Sequence, residues 1–327
     1  MKAALIIGIN DYHHLSVLTG AVPDASAIEK VLEMHSDGTR NFDCKVLTSN
    51  GKEILTEQVL RKAITEVFTK EVDVALLYYA GHGEQDQLGS YLCSQDMTRD
   101  QRGLSLNDVL ALANKSKARN VVIILDCCHA GGAGEENFLR EGLSTLRDDV
   151  CVLCATRRNE YSTEQGGRGI FTSLLCEGLD GAAADFRGHV TAASLYAHVD
   201  RSLGAWHQRP LFKANVSRLI PLRHCAPPIK HAELRELVRI FDNADKQLQL
   251  DPDYEPWDKV KRIEHGGSAE GDPQKSADFI VLLHCRDNGL VEPVDEPTLY
   301  YVAMNRKRCR LTPTGRYIWR LAKDERI

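Results

Sequence analysis

Along the first two thirds of the chain, short continuous apolar runs alternate with segments whose apolar positions recur at helical spacing. A continuous apolar run bounded by polar or glycine-rich residues reads as a strand buried on both faces. Such runs predict strands at Ala3–Ile9, Cys44–Leu47, Val72–Ala80, Val121–Leu125, Asp149–Ala155 and Leu211–Val216. Between them, Ala25–Met34, Thr56–Lys70, a segment from Ser105 through Ala113, Phe171–Leu179 and Ala192–Leu203 read as helices. In the second helix Val59, Leu60, Ala63, Ile64, Val67 and Phe68 lay one face on the sheet. Asp24 can cap the first helix, and Ser105 with Asp108 three residues on resembles a capping box for the third. This alternation predicts an α/β domain with a doubly wound, mostly parallel sheet flanked by helices.

At 327 residues the chain is long for one domain and comfortable for two. The two consecutive prolines in His224–Lys230 stop helix and sheet alike, so a boundary falls near Cys225 and divides residues 1–224 from 225–327. A hydrophobic content of 43% and a net charge of −5 suit a globular protein without a global pull toward nucleic acid. The apolar N-terminal run lacks a small-residue cleavage site and reads as a first strand instead of a signal peptide. No run approaches the roughly 18 apolar residues of a membrane span, so no membrane association is expected. The 10 cysteines are scattered, mostly within apolar segments, which suits reduced thiols and predicts a cytoplasmic protein.

Two segments carry the candidate chemistry. YYAGHG (Tyr78–Gly83) and DCCHAGG (Asp126–Gly132) each follow an apolar run read as a buried strand. In an open parallel sheet, ligands bind beyond the carboxyl ends of the strands, which is where His82 and Cys128 would stand. A cysteine near an imidazole can give up its proton near neutral pH, and the thiolate is the nucleophilic form. The bland alternative makes each a buried small residue or a loop histidine, but Gly81 and Gly83 strip bulk from both sides of His82, and Gly131-Gly132 turns the chain after Cys128. A phosphatase loop would need arginine where Gly134 stands, and the consecutive Cys127, Cys128 and His129 cannot easily converge on one metal. Cys151 and Cys154 form a CxxC within a strand and should point to opposite faces.

GINDY (Gly8–Tyr12), LTGAVPDA (Leu18–Ala25), YYAGHG, DCCHAG and GIFTSLL (Gly169–Leu175) occur in the order seen in caspase-like cysteine peptidases, and residues 1 to about 222 resemble bacterial and metacaspase-type members. The resemblance implies a caspase-like fold with Cys128 as nucleophile, His82 as general acid and base, and the backbone amides of Gly83 and Cys128 as the oxyanion hole. No orienting side chain is evident. It also implies that Asp24 and Asp126 line the primary pocket, where two carboxylates would favour cleavage of protein substrates after Arg or Lys. The other reading of Asp24 is a helix cap, and of Asp126 a strand-end acid. Relatives often use calcium, but Asp86, Asp96 and Asp100 are few against the six to eight oxygen ligands it takes, so no cofactor is expected and calcium is left open. The long Gly131–Asp148 loop lies where relatives are often cut, which makes Arg140 and Arg147 candidates for self-cleavage; Phe138, Leu139, Leu143 and Leu146 equally suit a surface helix there.

Phe279–Cys285 followed by NGLVEP, then Thr298–Ala303, a basic NRKRCR tip and LTPTGR resembles the last helix and wing of winged-helix domains, predicting a smaller α+β C-terminal domain. Winged helices often bind DNA, and Arg306, Lys307, Arg308 and Arg310 could touch phosphates. From Ala226 to Ile327, however, 17 Lys and Arg face 18 Asp and Glu, so a protein partner is the better expectation than DNA. Two functions stand side by side. One is a regulated endopeptidase in a bacterial defence or cell-death-like response, a setting implied by the resemblance. The other is a non-catalytic caspase-fold scaffold or DNA-binding regulator, against which the intact His82 and Cys128 argue.

Overall fold

The structure, a computed structural model, describes residues 1–51, 53–98, 103–129, 146–155, 169–203 and 210–327, without the side chains of residues 128 and 129. Met1–Ala226 forms one compact unit and Pro227–Ile327 another.

The first unit runs β1 (Lys2–Gly8), α1 (Ala21–Glu33), β2 (Phe42–Thr48), α2 (Glu57–Thr69), β3 (Val74–Asp86), β4 (Gly89–Leu92), β5 (Leu104–Ser105), α3 (Leu106–Asn114), β6 (Asn120–His129), β7 (Val150–Cys154), α4 (Ile170–Glu177), β8 (His189–Val190), α5 (Ala192–Leu203), β9 (Leu211–Asn215) and β10 (Arg223–His224). The main sheet has the order β2-β1-β3-β6-β7-β9 and is parallel except for β9, while β4 and β5 form an antiparallel ribbon beside the far end of β3. Its central strands are apolar without alternation because both faces are covered. Leu5, Ile7, Leu77, Tyr79, Ile123 and Leu125 share one core with the buried faces of α2 and α3. Ile6, Leu76, Tyr78 and Ile124 share the other with α1, α4 and α5. Helices on both faces make the sheet doubly wound, in agreement with the alternation of patterns. Cys151 lies in the second core and Cys154 in the first, on opposite faces as strand geometry requires.

Several local expectations shift. Helix α1 begins at Ala21, behind Gly20, so Asp24 is not its cap but sits buried in its first turn. Pro23 is tolerated there because first-turn amides lack intrahelical partners, and the Val22 amide donates to Asn10 Oδ1 at 3.1 Å instead. Ser105 occupies the cap position of α3 without a side-chain cap bond, and Asp108 pairs with Arg61 at 2.7 Å, so the capping box does not form. Strands β3 and β6 continue past their apolar runs into the glycine-rich motifs, since each still has a neighbour to pair with.

The second unit comprises α6 (His231–Ile240), β11 (Leu248–Gln249), α7 (Lys259–Glu264), α8 (Pro273–Asp287), β12 (Val291–Val294), α9 (Leu299–Met304), β13 (Arg308–Leu311) and α10 (Pro313–Lys323). Its antiparallel sheet has the order β11-β13-β12. Phe279, Leu282 and Cys285 of α8 are buried, as are Leu234 and Leu237 of α6 and Ile318 and Trp319 of α10. The Trp319 indole N–H donates to the Phe241 carbonyl at 2.9 Å, and Arg239 pairs with the largely buried Asp278. A helix does end before GLV and a strand pair does return into LT. Between those strands, however, Leu299–Met304 folds as a helix whose Leu299, Val302 and Ala303 are buried.

The packing of α1 on β1 is tight at Gly8, where a Cβ would come within 2.5 Å of the Ala21 carbonyl oxygen and 2.7 Å of the Ala25 methyl. Gly8→Ala should therefore destabilise the first unit by about 1–3 kcal/mol, read as a lower urea midpoint with unchanged slope. An unchanged midpoint would show that α1 moves aside at no cost.

Candidate active site

The parallel pairing of β3 with β6 sets His82 directly opposite Cys128, with Gly81 opposite Cys127 and Gly83 opposite His129. Both motifs thus meet at the carboxyl ends of two adjacent central strands. Cys127 is 4% exposed and packs into the first core, which removes it from the site.

His82 is 6% exposed. Its ring Nε2 lies 2.8 Å from the Ser16 carbonyl and 3.3 Å from the Ser16 hydroxyl. A carbonyl only accepts, so Nε2 carries a proton, and in the neutral ring Nδ1 is then the basic nitrogen. Nδ1 is buried and has no hydrogen-bond partner among the described residues. Burial lowers the imidazole pKa, and the Ser16 bond opposes that shift in part. The orienting group is thus a main-chain carbonyl, which no residue type in the sequence could announce.

Ser16 is held in place by the GINDY motif and the loop residues beyond it. The Asn10 carbonyl accepts the Leu18 amide at 2.8 Å and its side chain donates to the Thr19 carbonyl at 3.2 Å, tying both ends of the loop. The Asp11 carbonyl accepts from Gln95 Nε2 at 3.1 Å, and the His13 amide donates to the Gln95 carbonyl at 2.9 Å.

Asp24 and Asp126 converge on the start of α4. The Asp24 carboxylate accepts the Gly169 amide at 3.1 and 3.3 Å, and Asp126 accepts the Thr172 hydroxyl at 2.6 Å. The Tyr78 hydroxyl lies 2.6 Å from that of Thr172, and since Thr172 donates to Asp126, Tyr78 donates to Thr172. Burial, reinforced by the charges of Asp126 and then Asp24, pushes the Tyr78 phenol well above its ordinary pKa. The two acids therefore act on one phenol. The GIFT segment gave no sign of this by itself; a threonine in an otherwise apolar helix face was the available signal.

Arg147 bonds to carbonyls at and just beyond the end of α3: its guanidinium donates to Ala113, Ser116 and Ala118 at 3.5, 3.3 and 2.9 Å. Its own amide donates to Asn114 Oδ1 at 2.9 Å. Arg140, Gly131, Gly132, Phe138, Leu139, Leu143 and Asp100 lie outside the described residues. Among the described residues no cluster of three or more His, Cys, Asp or Glu side chains could hold a metal, and no helix is long and apolar enough to cross a membrane.

A doubly wound, mostly parallel sheet with a histidine and a cysteine motif at adjacent strand ends is a caspase-type arrangement. The chain belongs to the caspase family: residues 1–220 match its caspase domain, which is a cysteine-peptidase fold. A crystal structure of a protein from Geobacter sulfurreducens is similar at 17% identity over 69% of this chain and 99% of its own, with a TM-score of 0.51. Caspase-1 from Spodoptera frugiperda is similar at 18% identity over 68% of this chain and 90% of its own, with a TM-score of 0.50. At these identities the likeness is one of fold. Comparison with curated proteins gave no match.

Because burial lowers its pKa, His82 should titrate below the ordinary histidine value of about 6.5. Between that folded value and 6.5 the unfolded chain binds more protons, so His82 favours the fold fully above 6.5 and this contribution is lost as pH falls through the window. Histidine NMR with His82→Gln as the assignment control checks this; a midpoint at or above 6.5 would contradict it.

Proposed function

We propose that the first unit is an endopeptidase in which Cys128 attacks the substrate carbonyl and His82 carries the proton. The observation that carries this reading is the register that sets His82 opposite Cys128 while Ser16 holds Nε2–H, leaving Nδ1 as the base. The Cys128 thiol gives its proton to Nδ1, its sulfur bonds to the peptide carbon, and the oxygen charge that develops is met by the backbone amides of Gly83 and Cys128. The protonated ring then delivers its proton to the departing amine. Water, deprotonated by the same nitrogen, cleaves the thioester and restores the thiol.

Asp24 and Asp126 support a preference for Arg or Lys at the cleaved bond. Both are nearly buried at 4% and 7% exposure, and a substrate cation entering beside them would recover Coulomb energy in a poorly solvated place. The metacaspase-like type, the defence or cell-death-like setting and the cytoplasmic location belong to the same proposal. The second unit fits a winged-helix-like protein-interaction module better than a DNA binder. Arg310 is paired with Glu292 at 2.7 Å and Arg306 donates to the Gly266 carbonyl at 2.9 Å, so half of the basic tip is engaged internally. Trp257, Val260, Ile263, Tyr301 and Tyr317 stand exposed on that unit and suit an apolar protein partner.

Fluorogenic peptides ending in Arg, Lys or Asp test the whole reading, with and without calcium. Cys128→Ala and His82→Ala should each abolish hydrolysis, and Cys127→Ala should retain much of it. Asp126→Asn should lower kcat/KM for Arg peptides by roughly 10- to 150-fold, as expected for loss of one charged hydrogen-bond partner. Preference for Asp peptides, or an Asp126→Asn variant as active as wild type, would refute the pocket and leave the dyad to be judged alone.

Self-processing would arise from the same preference, and Arg140 is the expected site. Arg147 would first have to release its bonds to the end of α3. Mass spectrometry of aged protein should find a cut after Arg140 in wild type and one intact chain in Cys128→Ala; a first cut after Arg147 would reverse the assignment.

A further inference from the structure

We infer that Tyr12 and Tyr79 are positioning residues for His82, clamping its main chain through two buried hydroxyls. This rests on the catalytic reading of His82. The His82 amide donates to the Tyr12 hydroxyl at 2.8 Å. The Tyr79 hydroxyl stands 2.8 Å from the His82 carbonyl and 2.7 Å from that of Cys93, the residue after β4. Both main-chain polar groups of His82 are therefore met by tyrosines, one from the GINDY loop and one from β3 itself, and the His82 carbonyl also accepts the Cys93 amide at 3.1 Å.

Proton accounting fixes the direction of these bonds. Tyr12 accepts from the His82 amide with its oxygen. Carbonyls only accept, so Tyr79 must spend its single proton between the His82 and Cys93 oxygens. The His82 N–H thus donates to Tyr12, and Tyr79 donates back to the His82 carbonyl or on to that of Cys93. Neither phenol ionises in the working range, because burial holds both pKa values far above their ordinary position.

The surroundings are shaped to this clamp. A Cβ on Gly81 would come within 2.5 Å of the Tyr12 hydroxyl and 2.8 Å of the Tyr79 hydroxyl, so glycine before the histidine makes room for the two oxygens. The Tyr12 ring also stands 4.9 Å from the imidazole, centroid to centroid. Tyr12 precedes Ser16 on one short loop, so the chain that holds the His82 backbone also holds its ring through the Ser16 carbonyl. Main chain and side chain of one residue are thereby referred to one anchor. Proton transfer at Nδ1 is sensitive to small displacements of that nitrogen, so loosening the anchor acts on the chemical step more than on substrate binding.

Tyr12→Phe and Tyr79→Phe remove one oxygen each and keep the rings. The full-length variants are assayed on the peptide that wild type cleaves, alongside ¹⁵N-histidine NMR of the ring protons and the His82 titration. Each variant should lower kcat by about 5- to 100-fold, the size expected for a buried main-chain group that loses its hydroxyl partner, with KM little changed. The double variant should fall short of the product of the two, because both hydroxyls hold the main chain of one residue. In both, the Nε2–H signal should exchange faster and the titration midpoint should move up toward the ordinary histidine value. Support requires the kcat loss and the ring changes together; either one without the other overturns the inference, as does a loss carried in KM. If Tyr12→Phe gives no dispersed histidine signals, Tyr79→Phe alone decides by the same criteria. His82→Ala separates this from the parent reading: hydrolysis that survives it removes the catalytic role of His82, while ring signals that stay as in wild type in Tyr12→Phe refute the clamp on their own.

Discussion

Everything at the site depends on the lateral register between β3 and β6. Two strands that each bury both faces have no solvent side to absorb an error, and slipping one by a residue would exchange its two faces wholesale. Asp126 would then be driven toward the core that Cys127 occupies, and Cys127 toward Thr172. The apolar body of the strands, from Val74 opposite Asn120 to Tyr79 opposite Leu125, fixes the register over enough residues to carry it into the polar motifs beyond. The chemistry is placed by the hydrophobic effect acting some way below it.

Polar groups then divide between the two faces according to what each core can satisfy. On one side Tyr79 and Tyr12 hold main chain at His82; on the other, Tyr78 and Thr172 hold the Asp126 carboxylate. Adjacent tyrosines in YYAGHG thus serve opposite faces through the plain alternation of a strand. A buried carboxylate left without donors would be costly, and the first turn of α4 supplies them through an amide to Asp24 and a hydroxyl to Asp126. The position of that helix and the satisfaction of these two carboxylates are one problem.

Much of this was legible in the residues. The apolar runs located the central strands and the motifs marked their ends, because burial on two faces and glycine-flanked polar residues leave strong local signatures. What escaped was set by long-range partners. Asp24 read as a cap because nothing local reveals that Gly20 and Asn10 begin the helix a turn earlier. Thr298–Ala303 read as part of the resemblance to a last helix and wing, yet Leu299–Met304 is a helix whose Leu299, Val302 and Ala303 recur at helical spacing; six residues are too few for the period to stand out. Ser16 contributes through its main chain, for which any residue type would do, and so was invisible in principle.

Arg147 and the strand after it have a consequence for how the chain would age. β7 pairs with β6 from Val121 and Val150 to Leu125 and Cys154, and is bordered on its far side by β9, so the chain on both sides of residues 130–145 is woven into one sheet. Arg147 adds a second fastening to the end of α3. A break in the intervening backbone would change the covalent count from one chain to two without separating the parts. Size on a denaturing gel and size in solution would then report different things, and a nicked preparation would pass through purification as a single species.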